Sequence, residues 1–434
     1  MHMVKILHSS DWHLGKSLYS RSRADEFQAF LDWLVKIIAS ENIDIVLVSG
    51  DVFDNASPGI RAQELYYNFL HKIMHSGCRH MVVTAGNHDS PAFLSAPGPL
   101  LRPLGVHVRG QAHIPEEDVL LLRDANNVPV AVVCAVPYLR DRDIRLAHAG
   151  ENPEDKERTL IEGIRKYYEA AALHAENIRK EAGGNIPLIG MGHLFAAGGK
   201  SVDGDGIRDL YVGSLGHVPA SIFPSSFEYL ALGHLHVAQK VGGSDIVRYS
   251  GSPLPLSFSE AEQEKSVYLL ECEGRHIQVK KIPVPSFRAL RRLRGNMETL
   301  EAAIRELAEK GEPAWLEVLY DGMPIIPDLR NHIEEMVRGS LLEILCVRNK
   351  NSRNSALAME DEGETLADLD REEVFLRRLD SLGVMEEQRP ELLRMYREVL
   401  DEIDIAGEKT ALTEPDAALG RESGVSTQHG GGEA

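Results

Sequence analysis

The stretch Val46-Leu47-Val48-Ser49-Gly50-Asp51-Val52-Phe53-Asp54 decides the fold of this chain. Its apolar half, which begins at Ile45, has no polar interruption, as is typical of a strand buried on both faces of a parallel sheet. Gly50 allows the chain to turn where a side chain would clash, so Asp51 comes to the carboxyl end of the strand. A glycine and an aspartate after one strand indicate only a turn, and their meaning depends on the residues that come after the other strands.

Four other segments also end an apolar run and then present side chains that bind metal ions. Their residues are Asp11 and His13, Asn87 and His88, His193, and His234 with His236. We expect the loops after the strands of an α/β domain to bring such residues together. With Asp51, and with His88 left over as a further histidine, the set offers seven oxygen or nitrogen ligands. The pattern predicts a site for two cations with Asp51 bridging them.

Length and composition predict a protein of two or three domains that has no membrane span. The chain has 434 residues, and no apolar run approaches the roughly 20 residues needed to cross a bilayer. Its first residues enter a strand directly and lack the features of a signal peptide, and its four cysteines are scattered without a CxxC pair. We therefore expect a cytoplasmic protein with reduced thiols.

The net charge of −19 argues against a nucleic-acid partner only if it is spread evenly. Residues 351–434 hold 21 acidic and 9 basic side chains, so they carry most of the excess. Total charge therefore says little about the surface around the predicted site.

Strands and helices alternate along the first part of the chain. Apolar residues at steps of three and four predict an amphipathic helix over 24–40, and a long helical pattern covers about 155–182. Three later strands, at 247–250, 267–272 and 277–282, follow one another without a helix and look antiparallel. The expected fold class is α/β, with one parallel and one antiparallel sheet packed face to face and flanked by helices.

The prolines Pro283 and Pro285 indicate a domain boundary, because two prolines prevent a helix and stiffen the link. A small α/β unit comes after them, then a polar linker with two short amphipathic helices, and a tail without apolar periodicity. The predicted domains are 1–282, a capping domain 283–350, a linker with partner-binding helices 351–405, and a disordered tail 406–434.

Carboxylate, imidazole and amide ligands suit Mn²⁺, Fe or Zn²⁺ better than Ca²⁺, which prefers oxygen alone. Two such ions can hold a phosphoester and activate a water molecule. The leaving alkoxide also needs a proton donor, and His88, beside Asn87, is the obvious candidate. Either Asp54 or Asp89 could orient it.

Five segments resemble the signatures of the calcineurin-like metallophosphoesterases. They are Asp11-x-His13, Gly50-Asp51-x-x-Asp54, Gly86-Asn87-His88-Asp89, Gly192-His193 and Gly233-His234-x-His236. Within that family, residues 10–15 and 248–253 resemble bacterial nuclease subunits related to the archaeal and eukaryotic Mre nucleases. The resemblance covers residues 1–282 well, the small domain loosely and the acidic tail not at all.

The resemblance implies a fold, a two-sheet sandwich flanked by helices, and a division of the ligands between two ions. One ion would be held by Asp11, His13, Asp51 and His236, and the other by Asp51, Asn87, His193 and His234. His88 would act near the leaving group. Protein phosphatases of the superfamily also carry an aspartate at the position of Asp54, which favours Asp54 as the residue that orients His88.

The resemblance also implies an activity and partners. It indicates an Mn²⁺-dependent DNA nuclease, with double-strand exonuclease and single-strand or hairpin endonuclease activity, that dimerises through its nuclease domain. Its C-terminal helices would bind an SMC-like ATPase, since the chain itself has no GxxxxGK[ST] motif.

Two other functions are weighed against this one. A small-substrate phosphodiesterase or phosphatase could use the same site, whereas a non-catalytic scaffold is disfavoured because no motif ligand is missing. A basic run has two interpretations. It could contact DNA phosphates, which favours the nuclease, or it could simply be a solvated face. Its residues are Arg288, Arg291, Arg292 and Arg294.

Overall fold

The computed structural model describes residues 3–145, 152–196, 218–323, 326 and 328–349, with 372, 375–376, 378–379, 389–390, 392–394 and 396–397. The chain divides into two compact units, residues 1–363 and 364–434, which are described separately. No helix among the described residues is both long and apolar enough to span a membrane.

The strands are β1 (Val4–Ser9), β2 (Ser17–Leu18), β3 (Arg21–Ser22), β4 (Ile45–Ser49), β5 (His80–Thr84), β6 (Val106–Arg109), β7 (Val119–Arg123), β8 (Pro129–Ala135), β9 (Leu188–His193), β10 (Tyr229–Gly233), β11 (Gln239–Lys240), β12 (Val247–Tyr249), β13 (Ser266–Glu273), β14 (His276–Pro283), β15 (Ala289–Gly295), β16 (Ala314–Tyr320) and β17 (Leu342–Asn349). The helices are α1 (Ala24–Glu41), α2 (Ile60–Ile73), α3 (Pro91–Ser95), α4 (Gly98–Leu101), α5 (Asp141–Ile144), α6 (Pro153–Glu181), α7 (Met297–Lys310) and α8 (Leu329–Val337).

The first sheet has the strand order β14-β13-β1-β4-β5-β6. Strands β1, β4, β5 and β6 are parallel, and β13 pairs antiparallel with β1. The second sheet has the order β11-β12-β10-β9-β8-β7, in which β8, β9, β10 and β12 are parallel. Parallel neighbours need crossover connections, and α6 supplies the one between β8 and β9.

The prediction of one parallel and one antiparallel sheet is therefore wrong in detail. Strands β13 and β14 are antiparallel to each other, as expected, but they extend the first sheet. Strand β12 instead pairs parallel with β10 in the second sheet. The α/β class, with two sheets flanked by helices, is confirmed.

Alternate residues of the central strands point to opposite faces, and this builds the sandwich. Ile45 and Leu47 of β4 enter an apolar layer between the sheets, where they share a core with Val133 and Ile189 of the second sheet. Val46 of the same strand faces α1 and α2. Helix α6 covers the outer face of the second sheet. The result is a four-layer arrangement of helices, sheet, sheet and helices.

Strands β15, β16 and β17 form a separate parallel sheet, with α7 and α8 as the connections between them. Leu300 of α7 and Ile333 of α8 are buried on this sheet with Leu316, in a core of their own. Residues 1–363 form one compact unit, so the boundary that we predict at Pro283 falls inside it. The domain limits remain a prediction, and the tail at 406–434 lies outside the described residues.

An apolar joint connects this small sheet to the sandwich. It consists of Leu18, Phe258, Leu290, Trp315 and Leu345. The Tyr19 hydroxyl at its rim donates to Glu317 at 3.1 Å, and Arg348 donates to Tyr19 at 3.0 Å.

In the second unit, the described residues of the two predicted C-terminal helices are helical. The rings of Phe375 and Tyr396 stack with their centroids 4.0 Å apart, and Arg397 forms an ion pair with Glu372. The two helices therefore contact each other, and Phe375 and Tyr396 are only partly buried.

Candidate metal centre

All five predicted segments come after strands that are neighbours in one of the two sheets. Strands β1, β4 and β5 are adjacent in the first sheet, and β9 and β10 are adjacent in the second. The strands run parallel within each sheet, and the contact of Asp51 with His193 shows that the carboxyl ends of both sets meet at one edge of the sandwich. The predicted ligands Asp11, His13, Asp51, His193 and His236 are all buried there, each at most 3% exposed.

The backbone at this edge is strained. Asp11, His13, Asp51 and His234 have φ angles of 52°, 48°, 49° and 106°, in a region that residues other than glycine rarely adopt. Each such residue costs about 1–3 kcal/mol. Hydrogen bonds between the loops keep them in place, since Asp11 N–H donates to the Gly50 carbonyl and His13 N–H to the Asp51 carbonyl, both at 3.0 Å.

Two glycines are required for the close approach of the loops. Gly50 has φ 83°, and a Cβ there would lie 2.2 Å from Nδ1 of His193. A Cβ on Gly86 would lie 2.1 Å from the Asp51 carboxylate. Any side chain at either position would therefore displace a predicted ligand.

The ligand atoms form three overlapping groups, within each of which all atoms lie within 4.8 Å of one another. The groups are Asp11, His13 and His236; His13, Asp51 and His88; and Asp11, Asp51 and His193. Asp51 belongs to two of them, as a bridging ligand should. His88, which we did not count as a ligand, also belongs to one.

Three histidines share one orientation, with Nδ1 turned outward to a protein partner. Nδ1 of His193 lies 3.0 Å from the Ser49 carbonyl, and Nδ1 of His236 lies 3.1 Å from Glu260. Nδ1 of His13 lies 3.3 Å from the Asp54 carboxylate, although too poorly aligned for a hydrogen bond. The Nε2 atoms of His13 and His193 face Asp51, at 3.6 and 3.3 Å. Outer partners of this kind fix a histidine as a metal ligand.

Asn87 and His234 lie beside this cluster. Oδ1 of Asn87 is 2.9 Å from Nε2 of His193. The His234 ring packs edge-on against His193 with centroids 5.4 Å apart, and its main-chain N–H donates to Asp11 at 2.8 Å. His234 lies outside the three groups within 4.8 Å, so its role as a ligand is supported only by position.

The expected pairing of Asp54 with His88 takes a different form. Nδ1 of His88 donates to the main-chain carbonyl of Asp54 at 2.7 Å. The Asp54 carboxylate instead faces His13 and accepts a hydrogen bond from Lys16 at 3.1 Å. The reason is the turn after β4, which directs the carbonyl to His88 and the side chain to the neighbouring loop.

Asp89, the alternative partner, is a structural residue of the turn. Its carboxylate accepts hydrogen bonds from the N–H groups of Val52, Phe53 and Gly86, at 3.1, 2.9 and 2.9 Å. It therefore ties the loop after β5 to the loop after β4, because buried backbone donors need such acceptors.

Sequence reasoning missed one pair of residues at the site. Glu260 and Lys265 are buried next to His236. The carboxylate of Glu260 accepts a hydrogen bond from Nδ1 of His236. Both residues lie far along the loop after β12, so neither directly follows the end of a strand. The only signal was the motif at 248–253, which precedes them in the same loop.

The titratable groups of the cluster have shifted pKa values because they are buried together. Burial raises the pKa of Asp51, but the charges of His193 and His88 outweigh it and hold the pKa well below its usual range. Burial raises the pKa of Asp11 to about 6 and lowers the pKa of His13 to about 4. For His193, burial lowers the pKa, but the charges of Asp51 and Asp11 outweigh burial and raise the pKa to about 9.

These residues fit a divalent metal site. Both ring nitrogens of His13 are buried without a hydrogen-bond partner, which is costly unless a ligand such as a metal ion satisfies one of them. The donors are carboxylates, imidazoles and an amide, a set that suits Mn²⁺, Fe or Zn²⁺. The structure is thus consistent with a divalent metal site and leaves the identity of the metal open.

The four predicted DNA-binding arginines are occupied with contacts of their own. Arg288 lies over the Trp315 ring and 3.5 Å from Glu26, while Arg292 and Arg294 pair with Glu317 and Asp321. Arg291 donates to the Leu290 carbonyl at 3.1 Å. Three of the four carry a carboxylate partner, so this run offers less positive charge than the sequence indicated.

A cavity of about 150 Å³ lies beside the loop after β5, next to Gly86. Its lining includes Tyr138, Arg140, Arg142 and Asp143. The cavity thus places two arginines and Gly86, which packs against the Asp51 carboxylate, in one lining.

The high pKa of His193 predicts that metal binding releases a proton. The metal-free protein keeps His193 protonated below pH 9, whereas a ligand imidazole has to be neutral. Between pH 7 and 8.5 the affinity for the ion at His193 should rise about tenfold per pH unit, and level off above about pH 9. Calorimetric titration with Mn²⁺ in buffers of different protonation enthalpy measures the released proton. His193→Asn is the control and should abolish this release; an affinity independent of pH in the unsubstituted protein would contradict the prediction.

Comparison with known proteins agrees with this geometry. Residues 4–238 match the calcineurin-like phosphoesterase family, and residues 286–381 match the type 5 capsule protein repressor C-terminal domain. The SbcD subunit of the SbcCD nuclease from Escherichia coli (strain K12) is 36% identical over 412 residues, which cover 94% of this chain and 100% of that protein. The SbcD subunit from Rhodobacter capsulatus is 38% identical over 323 residues, covering 71% of this chain and 77% of that protein.

Among solved structures, a dimetal phosphatase from Danio rerio aligns over 65% of this chain and 97% of its own, with 12% identity and a TM-score of 0.36. That score is too low to bear on the fold, whereas the sequence matches extend over most of the chain. The chain therefore belongs to the calcineurin-like phosphoesterases and, within them, to the family of the SbcD subunits of SbcCD nucleases.

Proposed function

We propose that this nuclease cuts DNA with two divalent ions, most effectively Mn²⁺, as the catalytic partner of an SbcC-like, SMC-type ATPase. As a member of its family the chain is a metal-dependent phosphodiesterase of the nuclease class. The observation that carries the proposal is the orientation of His193 and His236, each held by a hydrogen bond at Nδ1 from outside, together with the buried and unpartnered ring nitrogens of His13 beside the carboxylates.

The arrangement supports the division of ligands that the resemblance implies. One ion would be held by Asp11, His13, Asp51 and His236, and the other by Asp51, Asn87, His193 and His234. The cluster of Asp11, His13 and His236 supports the first set. The contact of His193 with both Asn87 and Asp51 supports the second.

The protein's own residues provide orientation and a proton. When bound, two divalent ions neutralise the phosphodiester and lower the pKa of the attacking water. His88 is then the proton donor for the leaving oxygen. Its Nδ1 proton is committed to the Asp54 carbonyl at 2.7 Å, so the transferred proton has to be carried by Nε2. Asp54 orients His88 through its main-chain carbonyl, while its carboxylate faces Nδ1 of His13.

DNA is the substrate we favour, and the cavity lined by Arg140 and Arg142 supports this choice. Guanidinium groups suit phosphate recognition because they are always charged and donate in a fixed fork. The run from Arg288 to Arg294 is a weaker candidate, because three of its arginines have carboxylate partners within 3.5 Å, whereas the exposed Arg142 lies 3.8 Å from the carboxylate of Asp143. The expected reactions are double-strand exonuclease and single-strand or hairpin endonuclease cleavage, in DNA end processing, repair and recombination.

The C-terminal helices are proposed to bind the ATPase. Phe375 and Tyr396 stack on each other and are only partly buried, which supports an apolar face that a partner can cover. Docking of amphipathic helices onto a partner's groove or coiled coil is a common mode of assembly. Homodimerisation through the nuclease domain remains a prediction from the resemblance.

The first test separates metal binding from proton transfer. The purified protein should cut plasmid and hairpin DNA with Mn²⁺ and lose this activity in chelator. Asp51→Asn should lower the content of both ions, because the bridge is shared. His88→Leu should keep both ions and lower the cleavage rate by about 10²–10⁴-fold, as for the loss of a general acid.

Metal analysis of each variant accompanies the DNA assay. If His88→Leu loses an ion, His88 is a ligand and its role as proton donor is wrong. If the protein hydrolyses a small phosphodiester but no DNA, it is a small-substrate phosphodiesterase instead.

The second test concerns the two arginines of the cavity. Arg140→Ala and Arg142→Ala should each weaken DNA binding, and each should reduce the slope of log affinity against log salt by about 1 for a lost phosphate contact. Arg158→Ala is the matched control, since Arg158 is exposed on α6 and pairs with Asp155. Fluorescence anisotropy at several salt concentrations measures the slope; equal slopes in all three variants would rule out these contacts.

The third test removes residues 364–434, which form a unit of their own. The truncated protein should lose co-purification with the ATPase and keep its Mn²⁺-dependent nuclease activity. The matched control is Phe375→Ala with Tyr396→Ala in the full chain, which should weaken co-purification alone. Loss of intrinsic nuclease activity on truncation would mean that these helices belong to the enzyme's own core.

A further inference from the structure

A buried ion pair lies just outside the proposed metal ligands. Glu260 is fully buried at the end of the short 3-10 helix Phe258–Glu260, and Lys265, just before β13, is 6% exposed. Their charged groups contact each other, well away from solvent. Neither residue belongs to the ligand set or to the proton-transfer step described above.

Glu260 holds His236 by its outer nitrogen. Oε1 of Glu260 lies 3.1 Å from Nδ1 of His236, and since a carboxylate only accepts, Nδ1 is the donor. Oε2 accepts from the N–H of Leu256 at 3.2 Å and lies 3.2 Å from the Ser252 hydroxyl. The carboxylate is thus fixed by several partners, and it fixes the His236 tautomer that leaves Nε2 for the cluster with Asp11 and His13.

Lys265 holds both Glu260 and the loop that carries His236. Its ammonium group contacts Glu260 and lies within hydrogen-bonding distance of the His236 carbonyl at 3.1 Å, of Ser252 at 2.9 Å and of Gln263 at 2.9 Å. The side chain and the main chain of His236 are therefore both attached to one buried ion pair.

A gain in the stability of the fold does not explain why such an ion pair is buried here. Removing two charges from water costs several kcal/mol for each ion, and well-packed apolar residues of similar volume often stabilise a protein equally well or better. A carboxylate behind a metal-binding histidine does something that apolar residues cannot do. It fixes the ring, its tautomer and its basicity.

Two other histidines of the site lack this arrangement. Nδ1 of His193 faces the neutral carbonyl of Ser49. Nδ1 of His13 faces Asp54, but out of alignment, and Asp54 is partly exposed and shared with Lys16. Of these three, only His236 has an aligned and fully buried carboxylate.

We infer that Glu260 is a positioning residue, with Lys265 as its counter-charge, that orients His236 and strengthens the binding of the ion held with Asp11 and His13. This inference rests on the proposed two-ion site. It makes the two ion positions unequal, since the ion at His193 has no such support. Loss of an outer partner of this kind lowers metal affinity by about 10- to 100-fold.

The test uses the full chain, stripped of metal and titrated with Mn²⁺. The double variant Glu260→Leu with Lys265→Met removes both charges and keeps an apolar filling, so its melting temperature should stay close to that of the unsubstituted protein. One of the two Mn²⁺ binding steps should weaken by about 10- to 100-fold, while the other keeps its affinity. Calorimetry and the EPR signal of the bound Mn²⁺ follow the two steps separately.

Glu260→Gln is a second variant, useful if the double variant does not fold, because it keeps volume and removes the acceptor charge. It should weaken the same step, and Lys265→Arg should preserve it. The matched control is Glu228→Gln, which disturbs the ion pair of Arg179 with Glu228 behind β9 and should leave both steps unchanged.

The outcomes distinguish this inference from the function it rests on. If the unsubstituted protein binds fewer than two Mn²⁺ ions, the two-ion proposal itself is wrong. If it binds two and the variants of Glu260 do so with the same affinities, Glu260 and Lys265 are only structural and the inference is overturned. Equal weakening of both steps would also overturn it, because the support is specific to His236.

Discussion

The burial of one carboxylate, that of Asp51, is the constraint on which this molecule depends. It lies at the end of β4 with a left-handed backbone, within 3.3 and 3.6 Å of His193 and His13. A buried charge of this kind needs positive partners, and the surrounding histidines hold its pKa well below the usual range. The carboxyl ends of β4 and β9, which belong to different sheets, have to meet at this point, because the loop after β4 contributes Asp51 and the last residue of β9 is His193.

Much of this could be predicted because strand ends are visible in a sequence. The apolar runs before Asp11, Asp51 and His193 all become strands of the sandwich, and the residues after them come together. The pairing of strands is harder to predict, since β12 has only three residues and pairs parallel with β10 although only the two-residue strand β11 lies between them. Periodicity identifies a strand, but it does not say which neighbour the strand will choose.

The details of the site show a second limit. Asp54 contacts His88, as the resemblance implies, but through its carbonyl, and the side-chain pattern of a sequence carries no information about main-chain acceptors. Glu260 lies 24 residues beyond His236 in an irregular loop, so no spacing rule links the two. The positive charge available near residue 290 is overestimated from the sequence for a similar reason. The partners of these arginines, Glu317 and Asp321, come from the next strand and the loop after it.

The short helix Phe258–Glu260 has a consequence for how substitutions in this family should be interpreted. Phe258 is buried in the joint with the small sheet, beside Leu290 and Trp315, and Glu260, two residues later, touches His236. Less than one helical turn thus separates the joint from a ligand. A mutational scan for lost activity should therefore recover positions in the joint together with the ligands themselves, although nothing in their chemistry marks them as catalytic. For this chain, distance along the sequence from the metal-binding motifs is a poor guide to whether a variant is harmless.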